Sequence, residues 1–317
     1  MMTEAPKKSL MRMRRKNRLL IVLGPTAVGK TDFGIGKALE YGSPVISCDS
    51  RQIYREMTVG TAVPSADQLA AVRHYFIHSH SVKNLYTAGM YELEAMELIE
   101  NLFAQGHETL VMTGGSGFYI DALVNGLDDF PPADLALRAE LSERLRQEGV
   151  ESLRLELKRL DPESYASIDI ANGQRVVRAL EVCLMTGRPF SSFKTSPRKE
   201  RNFEVEKIGL VRPRDVLYDR INRRVIGMVD DGLVEEVRSL VPYRSLAALQ
   251  TVGYKEIFDW FDWQDGKVPD ITPRTPGDGP VKTLDRAIEL IQRNTRHYAK
   301  RQLSYFHRDN SIRWIEL

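Results

Sequence analysis

Eight residues, Gly24 to Thr31 (GPTAVGKT), restrict the fold of this chain more than any other segment. They match the pattern GxxxxGK[ST], in which glycines let backbone N–H groups face a phosphate compound at the start of a helix. The motif directly follows the wholly apolar run Leu19 to Leu23 and precedes a helix-compatible segment, Asp32 to Tyr41. Such an apolar run is typical of a central parallel strand that is covered on both faces. We therefore predict a strand, a phosphate-binding loop and a helix in succession.

Further short apolar runs extend this pattern along the chain. Pro44 to Cys48 is a second candidate strand, Thr109 to Met112 is a third, and Thr87 to Phe103 between them has a helical pattern. Strands that alternate with helices indicate an α/β fold, here a P-loop NTPase-like parallel sheet flanked by helices. Ligand sites in such folds lie at the carboxyl ends of the strands. Asp49 follows the second strand and Gly114-Gly115 end the third, so both are predicted to lie beside the phosphate-binding loop.

The pattern changes to helix alone in the middle of the chain. From about Asp134 to Thr186 there is no strand signal, and leucines recur at helical spacing: Leu135, Leu137, Leu141, Leu145, Leu153, Leu157 and Leu160. A strand-like run, Val205 to Val211, then follows. We predict a basic flexible arm over 1–18, a core with the phosphate-binding loop over 19–123 and 204–317, and a helical insertion domain over 124–203. Prolines and glycines mark 264–280 as a loop.

Composition and charge limit what the chain can bind. It has 317 residues, 42% of them hydrophobic, and can bury a full core without disulfides. Its formal net charge is +2, so affinity for nucleic acid must come from local basic clusters. Cys48 and Cys183 are too few for a disulfide framework, and no run approaches the roughly 20 apolar residues of a membrane-spanning helix. We expect a cytoplasmic, monomeric protein with no membrane partner.

The phosphate-binding loop supplies the first candidate site residues. All eight are predicted to contact a diphosphate or nucleotide: Gly24, Pro25, Thr26, Ala27, Val28, Gly29, Lys30 and Thr31. Lys30 supplies charge, and the Thr31 hydroxyl is a candidate ligand for Mg²⁺, the one cofactor that we expect. Loops of this type occur in ATP-binding and other nucleotide-binding proteins. An ATPase normally holds magnesium with an acid after a neighbouring strand, but Thr109 to Met112 leads into Thr-Gly-Gly-Ser-Gly. The acid is Asp49 instead, and we expect it to face an acceptor.

Seven collinear blocks carry a family resemblance. They are GPTAVGKT at 24–31, DSRQIY and GTA at 49–54 and 60–62, GGSGFY at 114–119, QRVVRALE and TGRP at 174–181 and 186–189, RINRR at 220–224, GYKE at 253–256 and KRQLS at 300–304. Over residues 19–308 the chain resembles the tRNA dimethylallyltransferases, also called tRNA isopentenyltransferases. It departs from that family at Val63, where the family usually has Lys, at Ser116, usually Thr, and at 300–307, where the family's KRQxTWFR reads KRQLSYFH.

This resemblance implies a prenyl transfer. The dimethylallyl group of dimethylallyl diphosphate would move to N6 of adenosine 37 in the tRNA anticodon loop, and diphosphate would leave. Asp49 is the implied general base that accepts the N6 proton. Charge develops on the departing diphosphate and needs preorganised cations. The residues implied to stabilise this charge are Thr26, Lys30 and Arg224.

A tRNA base can reach such a loop only when it leaves its stack, so the chain needs an RNA-binding surface. From Arg293 to Arg308 there are five Lys or Arg and no acid, and five polar residues share one helix face: Arg293, His297, Lys300, Ser304 and Arg308. From these patterns and the resemblance we predict tRNA contacts by Asp49, Ser50, Arg51, Gln52, Ser116, Arg138, Gln174, Arg175, Arg178, Gln250, Gly253, Tyr254, Lys255, Lys300, Arg301, Gln302, Ser304 and Tyr305.

Three other functions are compatible with parts of the sequence. In a P-loop small-molecule kinase, ATP would fill the loop and Asp49 would deprotonate a hydroxyl, but the helical insertion and the acid-free basic stretch would have no role. An RNA-binding module with a nucleotide switch would transfer no group. An adenylate isopentenyltransferase would accept free AMP, which the RNA-binding features disfavour.

Overall fold

The computed structural model describes residues 17–194, 199–267 and 279–317. The predicted arm lies outside the described residues except for its last two positions, and so does 268–278 of the predicted loop. Within the described residues the strands form one sheet of order β3-β2-β4-β1-β5-β6. Their bounds are β1 Arg18–Leu23, β2 Val45–Ser47, β3 His74–Tyr75, β4 Thr109–Gly114, β5 Glu204–Val211 and β6 Ile312–Glu316.

All the strand pairs are parallel, and β1 lies in the middle between β4 and β5. Five of its six residues are buried, as the apolar run predicts. The expected parallel sheet flanked by helices is confirmed. The short strands β3 and β6 were not predicted, because two residues give no pattern and an edge strand such as β6 is only partly buried.

The helices pack around this sheet or form the segment between β4 and β5. In chain order they are α1 Lys30–Tyr41, α2 Ala66–Ala71, α3 Ala88–Ala104, α4 Gly117–Asn125, α5 Leu135–Glu148, α6 Val150–Leu160, α7 Pro162–Ser167, α8 Gly173–Thr186, α9 Arg214–Asp230, α10 Leu233–Ser239, α11 Lys255–Gln264 and α12 Leu284–Phe306. Short 3-10 helices span Phe190–Phe193 and Val241–Tyr243. In the described part of the chain, no helix combines the length and apolarity needed to cross a membrane.

Two compact units divide the chain. The first comprises 1–124 and 201–317, and the second comprises 125–200. In the first unit, β1, β4 and β5 bury one sheet face against helices α1, α9 and α12 through side chains that include Leu20, Val111, Leu210, Ile35 and Leu217. Because the strands are parallel, their carboxyl ends share one edge of the sheet. The loops that follow β1, β2 and β4 therefore meet there.

The second unit has a core of its own. Leu141 of α5, Leu153 and Leu157 of α6, and Val177 and Leu180 of α8 are fully or almost fully buried in it. The helical run expected over 134–186 is divided into four helices. Gly149, with φ 76°, follows the end of α5, and Asp161 separates α6 from α7. Leu135 of the predicted leucine stripe is 60% exposed rather than part of the core.

Candidate active site

A cleft of about 700 Å³ opens at the carboxyl edge of the sheet. Its lining comes from the phosphate-binding loop, the turn after β2, the loop 58–66, the end of β4, one face of α9 and one face of α12. Its lining residues include Thr26, Lys30, Thr31, Asp49, Gln52, Thr58, Val59, Thr61, Ala62, Arg220, Arg224, Tyr298 and Gln302. Lys30 and Thr31 belong to the phosphate-binding loop itself. Asp49 lies in the cleft because β2, which precedes it, ends at the same edge of the sheet as β1.

Cationic side chains hold the carbonyl side of the phosphate-binding loop. The carbonyl oxygens of Pro25, Ala27 and Val28 accept hydrogen bonds from Lys30 Nζ at 2.7 Å, Arg220 Nε at 2.8 Å and Arg212 Nε at 2.8 Å, respectively. With these carbonyls held, the loop amides other than that of Thr26, which donates to Gln302, are available to an anion at the N-terminus of α1. Gly24 has φ 145°, and a Cβ there would lie 2.6 Å from the carbonyl oxygen of Leu210 in β5. The loop therefore requires glycine at this position.

Two cations of the cleft have lowered pKa values. The pKa of Lys30 is lowered to about 8, chiefly because burial disfavours the ammonium form; Asp49 opposes this effect and nearby Arg224 adds to it. Desolvation by the cleft walls, followed by repulsion from Arg220, lowers the pKa of Arg224. Arg224 Nη1 lies 3.3 Å from Thr26 Oγ1. This crowding of positive groups favours a polyanion between them, because the anion relieves both repulsion and desolvation.

Asp49 both caps a turn and faces the cleft. Its Oδ1 accepts hydrogen bonds from the backbone N–H groups of Arg51 at 2.8 Å and Gln52 at 3.3 Å. Within the described residues Oδ2 accepts no hydrogen bond, and Asp49 lines the cleft. The capping role and a catalytic role are therefore compatible, since each uses a different oxygen.

Ser116 and Gln302 connect the loops at this edge of the sheet. Ser116 Oγ accepts from the backbone N–H of Ser50 at 2.9 Å. Gln302, only 6% exposed, accepts from the backbone N–H of Thr26 at 2.8 Å and donates to the carbonyl oxygen of Gly115 at 2.9 Å. Gln302, one of the predicted tRNA contacts, is thus buried against the phosphate-binding loop and the end of β4.

The predicted contacts on α12 fall on two faces. Lys300, Arg301 and Ser304 are exposed, as is His297. Arg308, expected on the same helix face, is exposed but lies two residues beyond the end of α12. Tyr305 instead packs its ring on Gly117 and donates a hydrogen bond from its hydroxyl to Asp121 of α4. Tyr298 is 37% exposed and lines the cleft. A basic face is therefore present on α12 and adjoins residues that line the cleft.

The loop 57–63 forms a further wall of the cleft. Gln52 Nε2 donates to the carbonyl oxygens of Thr61 at 3.1 Å and Ala62 at 2.9 Å. Tyr254, predicted to contact tRNA, is fully buried, and a Cβ on Gly60 would lie 2.6 Å from its hydroxyl oxygen. The separate blocks at 60–62 and 253–256 therefore meet because Gly60 leaves room for the Tyr254 ring.

The remaining predicted contacts of the first unit lie near this wall. Arg51 Nη1 donates to the carbonyl oxygen of Ala247 at 3.4 Å, and exposed Gln250 donates to that of Arg244 at 2.7 Å. Gly253 is buried, and its N–H donates to Glu256 at 2.9 Å. Lys255, at the start of α11, is half-buried.

In the second unit, the predicted contacts are of two kinds. Gln174 and Arg175 of α8 are exposed. Arg138 and Arg178 instead pair with Glu181, whose side chain is fully buried, at 2.7 Å and 3.0 Å. A carboxylate without solvent needs such partners. Arg138 thereby joins α5 to α8, whereas Arg178 lies on α8 with Glu181 and donates to the carbonyl oxygen of Pro131 at 2.9 Å.

Sequence reasoning missed Arg220, Glu236 and the role of Gln302 in the cleft. Arg220 precedes Arg224 by one helical turn, and that spacing was a usable signal. Glu236 of α10 accepts hydrogen bonds from the loop 57–63, but nothing in the sequence distinguishes it from Glu235. The contact of Gln302 with the phosphate-binding loop joins residues 276 positions apart and had no local signal.

The fold and the cleft together define a P-loop enzyme, with a GxxxxGKT loop, several cations and an acid around one cavity. The sequence matches the IPP transferase family over residues 52–309, and the chain belongs to that family. It is therefore a transferase, and the family resemblance is confirmed.

Individual relatives agree with this assignment. The chain is 44% identical over 299 residues to a tRNA dimethylallyltransferase from Bacteroides thetaiotaomicron, covering 94% of this chain and 91% of the relative. It is 34% identical to the solved tRNA isopentenylpyrophosphate transferase from Bacillus halodurans, with a TM-score of 0.64 over 95% and 90% of the two chains. A eukaryotic dimethylallyltransferase crystallised while acting on tRNA shares the fold, with 22% identity, a TM-score of 0.73 and coverage of 95% and 74%.

Proposed function

We propose that this enzyme transfers the dimethylallyl group of dimethylallyl diphosphate to N6 of adenosine 37 in the tRNA anticodon loop and releases diphosphate. The observation that carries the proposal is the juxtaposition of Lys30, Thr31 and Asp49 around one cleft. A diphosphate on the loop and a nucleobase amine beside Asp49 would then meet within a single cavity. The names of the relatives support both substrates.

The transfer is a displacement at the allylic carbon. The lone pair of N6 forms a bond to C1 of the dimethylallyl group, and the C1–O bond breaks with its electron pair going to diphosphate. The N6 lone pair is delocalised into the ring, so the amine is a weak nucleophile. Asp49 Oδ2 accepts the N6 proton as the new bond forms, a type of assistance typically worth about 10² to 10⁴ in rate.

Positive groups stabilise the charge that develops on diphosphate. Lys30 and the loop amides face its oxygens, and Arg224 and Thr26 approach from α9 and the loop. We propose Mg²⁺ as the cofactor, since the Thr31 hydroxyl is a hard oxygen donor in the cleft and Mg²⁺ is commonly bound with substrate phosphates. When bound, the ion would supply further neutralisation of the diphosphate.

The exposed cations support the tRNA assignment. We propose that Lys300, Arg301 and Ser304 on α12, together with Gln174 and Arg175 on α8, contact the anticodon stem-loop. We propose smaller, indirect contributions from Arg138, Arg178 and Tyr254, whose polar groups are held by Glu181 or Glu236. The enzyme would act as a monomer in the cytoplasm, where tRNA is found.

Labelled dimethylallyl diphosphate and unmodified tRNA test the function. We expect label to enter tRNA at adenosine 37 and no transfer from ATP. Transfer of the terminal phosphate of ATP would establish the kinase, and modification of AMP in place of tRNA would establish the adenylate isopentenyltransferase. Binding of tRNA without transfer of any group would favour the RNA-binding module.

The affinity for dimethylallyl diphosphate is expected to fall as the pH rises above about 8. The pKa of Lys30 is lowered to about 8 in the free enzyme, so its ammonium group loses its proton above that pH. Bound diphosphate favours the ammonium form, and the dissociation constant should therefore rise roughly tenfold per pH unit over the next one to two units. Calorimetric titration without tRNA measures this.

Lys30→Arg provides the matched control for this pH dependence. Arginine stays protonated throughout the range, so the variant's dissociation constant should be flat from pH 7.5 to 10 even if it is higher. An inflection that persists in Lys30→Arg would assign the titration to another group.

Loss of a phosphate contact on α12 is expected to change tRNA binding and its salt dependence together. Lys300→Ala or Arg301→Ala should raise the KM for tRNA and reduce the slope of log affinity against log salt by about 0.7 to 0.9 per contact. The KM for dimethylallyl diphosphate should change little. Filter binding from 50 to 300 mM salt would test this prediction.

Arg286→Ala is the control on the same helix. Arg286 is paired with Glu289 and lies 14 residues before Lys300, about 21 Å away along the axis. Its removal should leave the salt slope unchanged. A collapse of kcat with an unchanged slope in Lys300→Ala would instead place Lys300 in the catalytic channel.

A further inference from the structure

The carboxylate of Glu236 accepts hydrogen bonds from three consecutive backbone N–H groups of a loop that lines the cleft. Glu236 Oε2 accepts from the N–H groups of Thr58 and Val59, both at 2.8 Å. Its Oε1 accepts from the N–H of Gly60 at 3.0 Å and from the Tyr254 hydroxyl at 2.6 Å. Successive N–H groups that converge in this way form a site for an anion, and the anion here belongs to the protein.

A short chain of contacts connects Glu236 to Asp49. The loop that Glu236 holds lines the cleft with Thr58, Val59, Thr61 and Ala62. The carbonyl oxygens of Thr61 and Ala62 accept from Gln52, as described above. Gln52 in turn donates its backbone N–H to Asp49 Oδ1 at 3.3 Å. Movement of the loop would therefore move the turn that orients Asp49.

The loop depends on an external partner for its shape. Ala62 has φ 51°, a left-handed conformation that residues other than glycine rarely adopt. Three N–H groups that point the same way repel one another unless a negative group lies among them. Hydrogen bonds to a charged acceptor are stronger than those to a neutral one, so the carboxylate is the fitting partner.

We propose that Glu236 is a positioning residue for the prenyl transfer, acting through the loop 58–62 and Gln52 on Asp49 without touching substrate. This inference rests on the proposed function, in which Asp49 accepts the N6 proton. Tyr254 aligns the carboxylate from its other side. The phosphate-binding loop lies outside this chain of contacts, so diphosphate affinity is independent of Glu236.

The test compares Glu236→Ala and Glu236→Gln with Glu235→Ala, which removes an exposed acid from the same turn of α10. Single-turnover rates are measured with both substrates saturating, and dimethylallyl diphosphate affinity is measured separately. We expect Glu236→Ala to lower the rate about 10- to 100-fold, the effect of misplacing a reacting group by about 1 Å. The rate should fall less in Glu236→Gln than in Glu236→Ala, because the amide keeps one oxygen acceptor. Affinity for the diphosphate should change less than about threefold.

Formate provides a second readout, because Glu236→Ala leaves an empty space beside the three N–H groups. Added formate should raise the rate of Glu236→Ala several-fold, whereas chloride at equal ionic strength should not. Neither salt should stimulate Glu235→Ala or the unsubstituted enzyme. Hydrogen exchange of the amides at 58–60 should be faster in Glu236→Ala and should slow again with formate.

The outcomes separate the inference from the proposed function. A rate in Glu236→Ala equal to that of Glu235→Ala, or a loss explained by weaker diphosphate binding, would overturn the inference. So would a slow variant in which formate restores neither the rate nor the protection of the amides. If the unsubstituted enzyme transfers no dimethylallyl group to tRNA, the proposed function fails, while the exchange measurement still reports whether Glu236 holds the loop.

Discussion

Asp49→Asn is expected to lower the single-turnover rate of transfer about 10² to 10⁴-fold, the usual consequence of removing a general base. The amide keeps an oxygen that accepts the N–H groups of Arg51 and Gln52, so the turn after β2 should persist. It has no basic oxygen for the N6 proton. Rapid-quench measurement with saturating tRNA and labelled dimethylallyl diphosphate gives the rate directly.

Asp49→Ala separates the two roles of this residue. It removes the cap as well as the base, and the loss of a capping side chain costs about 0.5 to 2 kcal/mol of stability. Thermal melting should therefore distinguish Ala from Asn, whereas both should be slow. Near-normal turnover in Asp49→Asn would show that Asp49 only organises the turn.

Lys30→Ala is expected to lower kcat/KM for dimethylallyl diphosphate by about 10² to 10³, the range seen when one preorganised partner of a developing oxyanion is removed. Affinity for tRNA should be nearly unchanged, because the exposed cations of α12 are separate from the loop. Steady-state kinetics and a gel-shift titration measure the two quantities.

Lys37→Ala is the matched control for Lys30→Ala. Lys37 lies on the same helix, two turns further on, and is held at the surface by Glu40. Its removal should affect neither kinetics nor RNA affinity. An equally large loss of tRNA affinity in Lys30→Ala would contradict the division of the cleft into a diphosphate part and an acceptor part.

Sequence alone determined the features that depend on contiguous residues. The run at 19–23 and the motif at 24–31 specify a buried strand followed by a phosphate-binding loop, because each requires only local periodicity and local backbone geometry. The same holds for the polar face of α12, since His297, Lys300 and Ser304 follow the helical period and are exposed as expected, whereas Arg308 leaves this face because α12 ends at Phe306. Asp49 was predictable because parallel strands end at a common edge.

Tertiary structure decided which polar side chains are held by the protein itself. Gln302, Arg138, Arg178 and Tyr254 were all candidates for RNA, yet the first bridges two loops of the cleft and the others have carboxylate partners. Charge and spacing do not reveal such partners. Their roles toward tRNA remain predictions.

The role of Glu236 depends on tertiary structure for the same physical reason. Thr58 and Glu236 are 178 residues apart, and only the packing of α10 beside the loop brings them together. Local sequence determines which groups a segment contains, here the backbone N–H donors of the loop and the two adjacent carboxylates of α10. Whether Glu235 or Glu236 accepts hydrogen bonds from these amides depends on which carboxylate the fold brings within reach of them. That distance is set only in the folded chain.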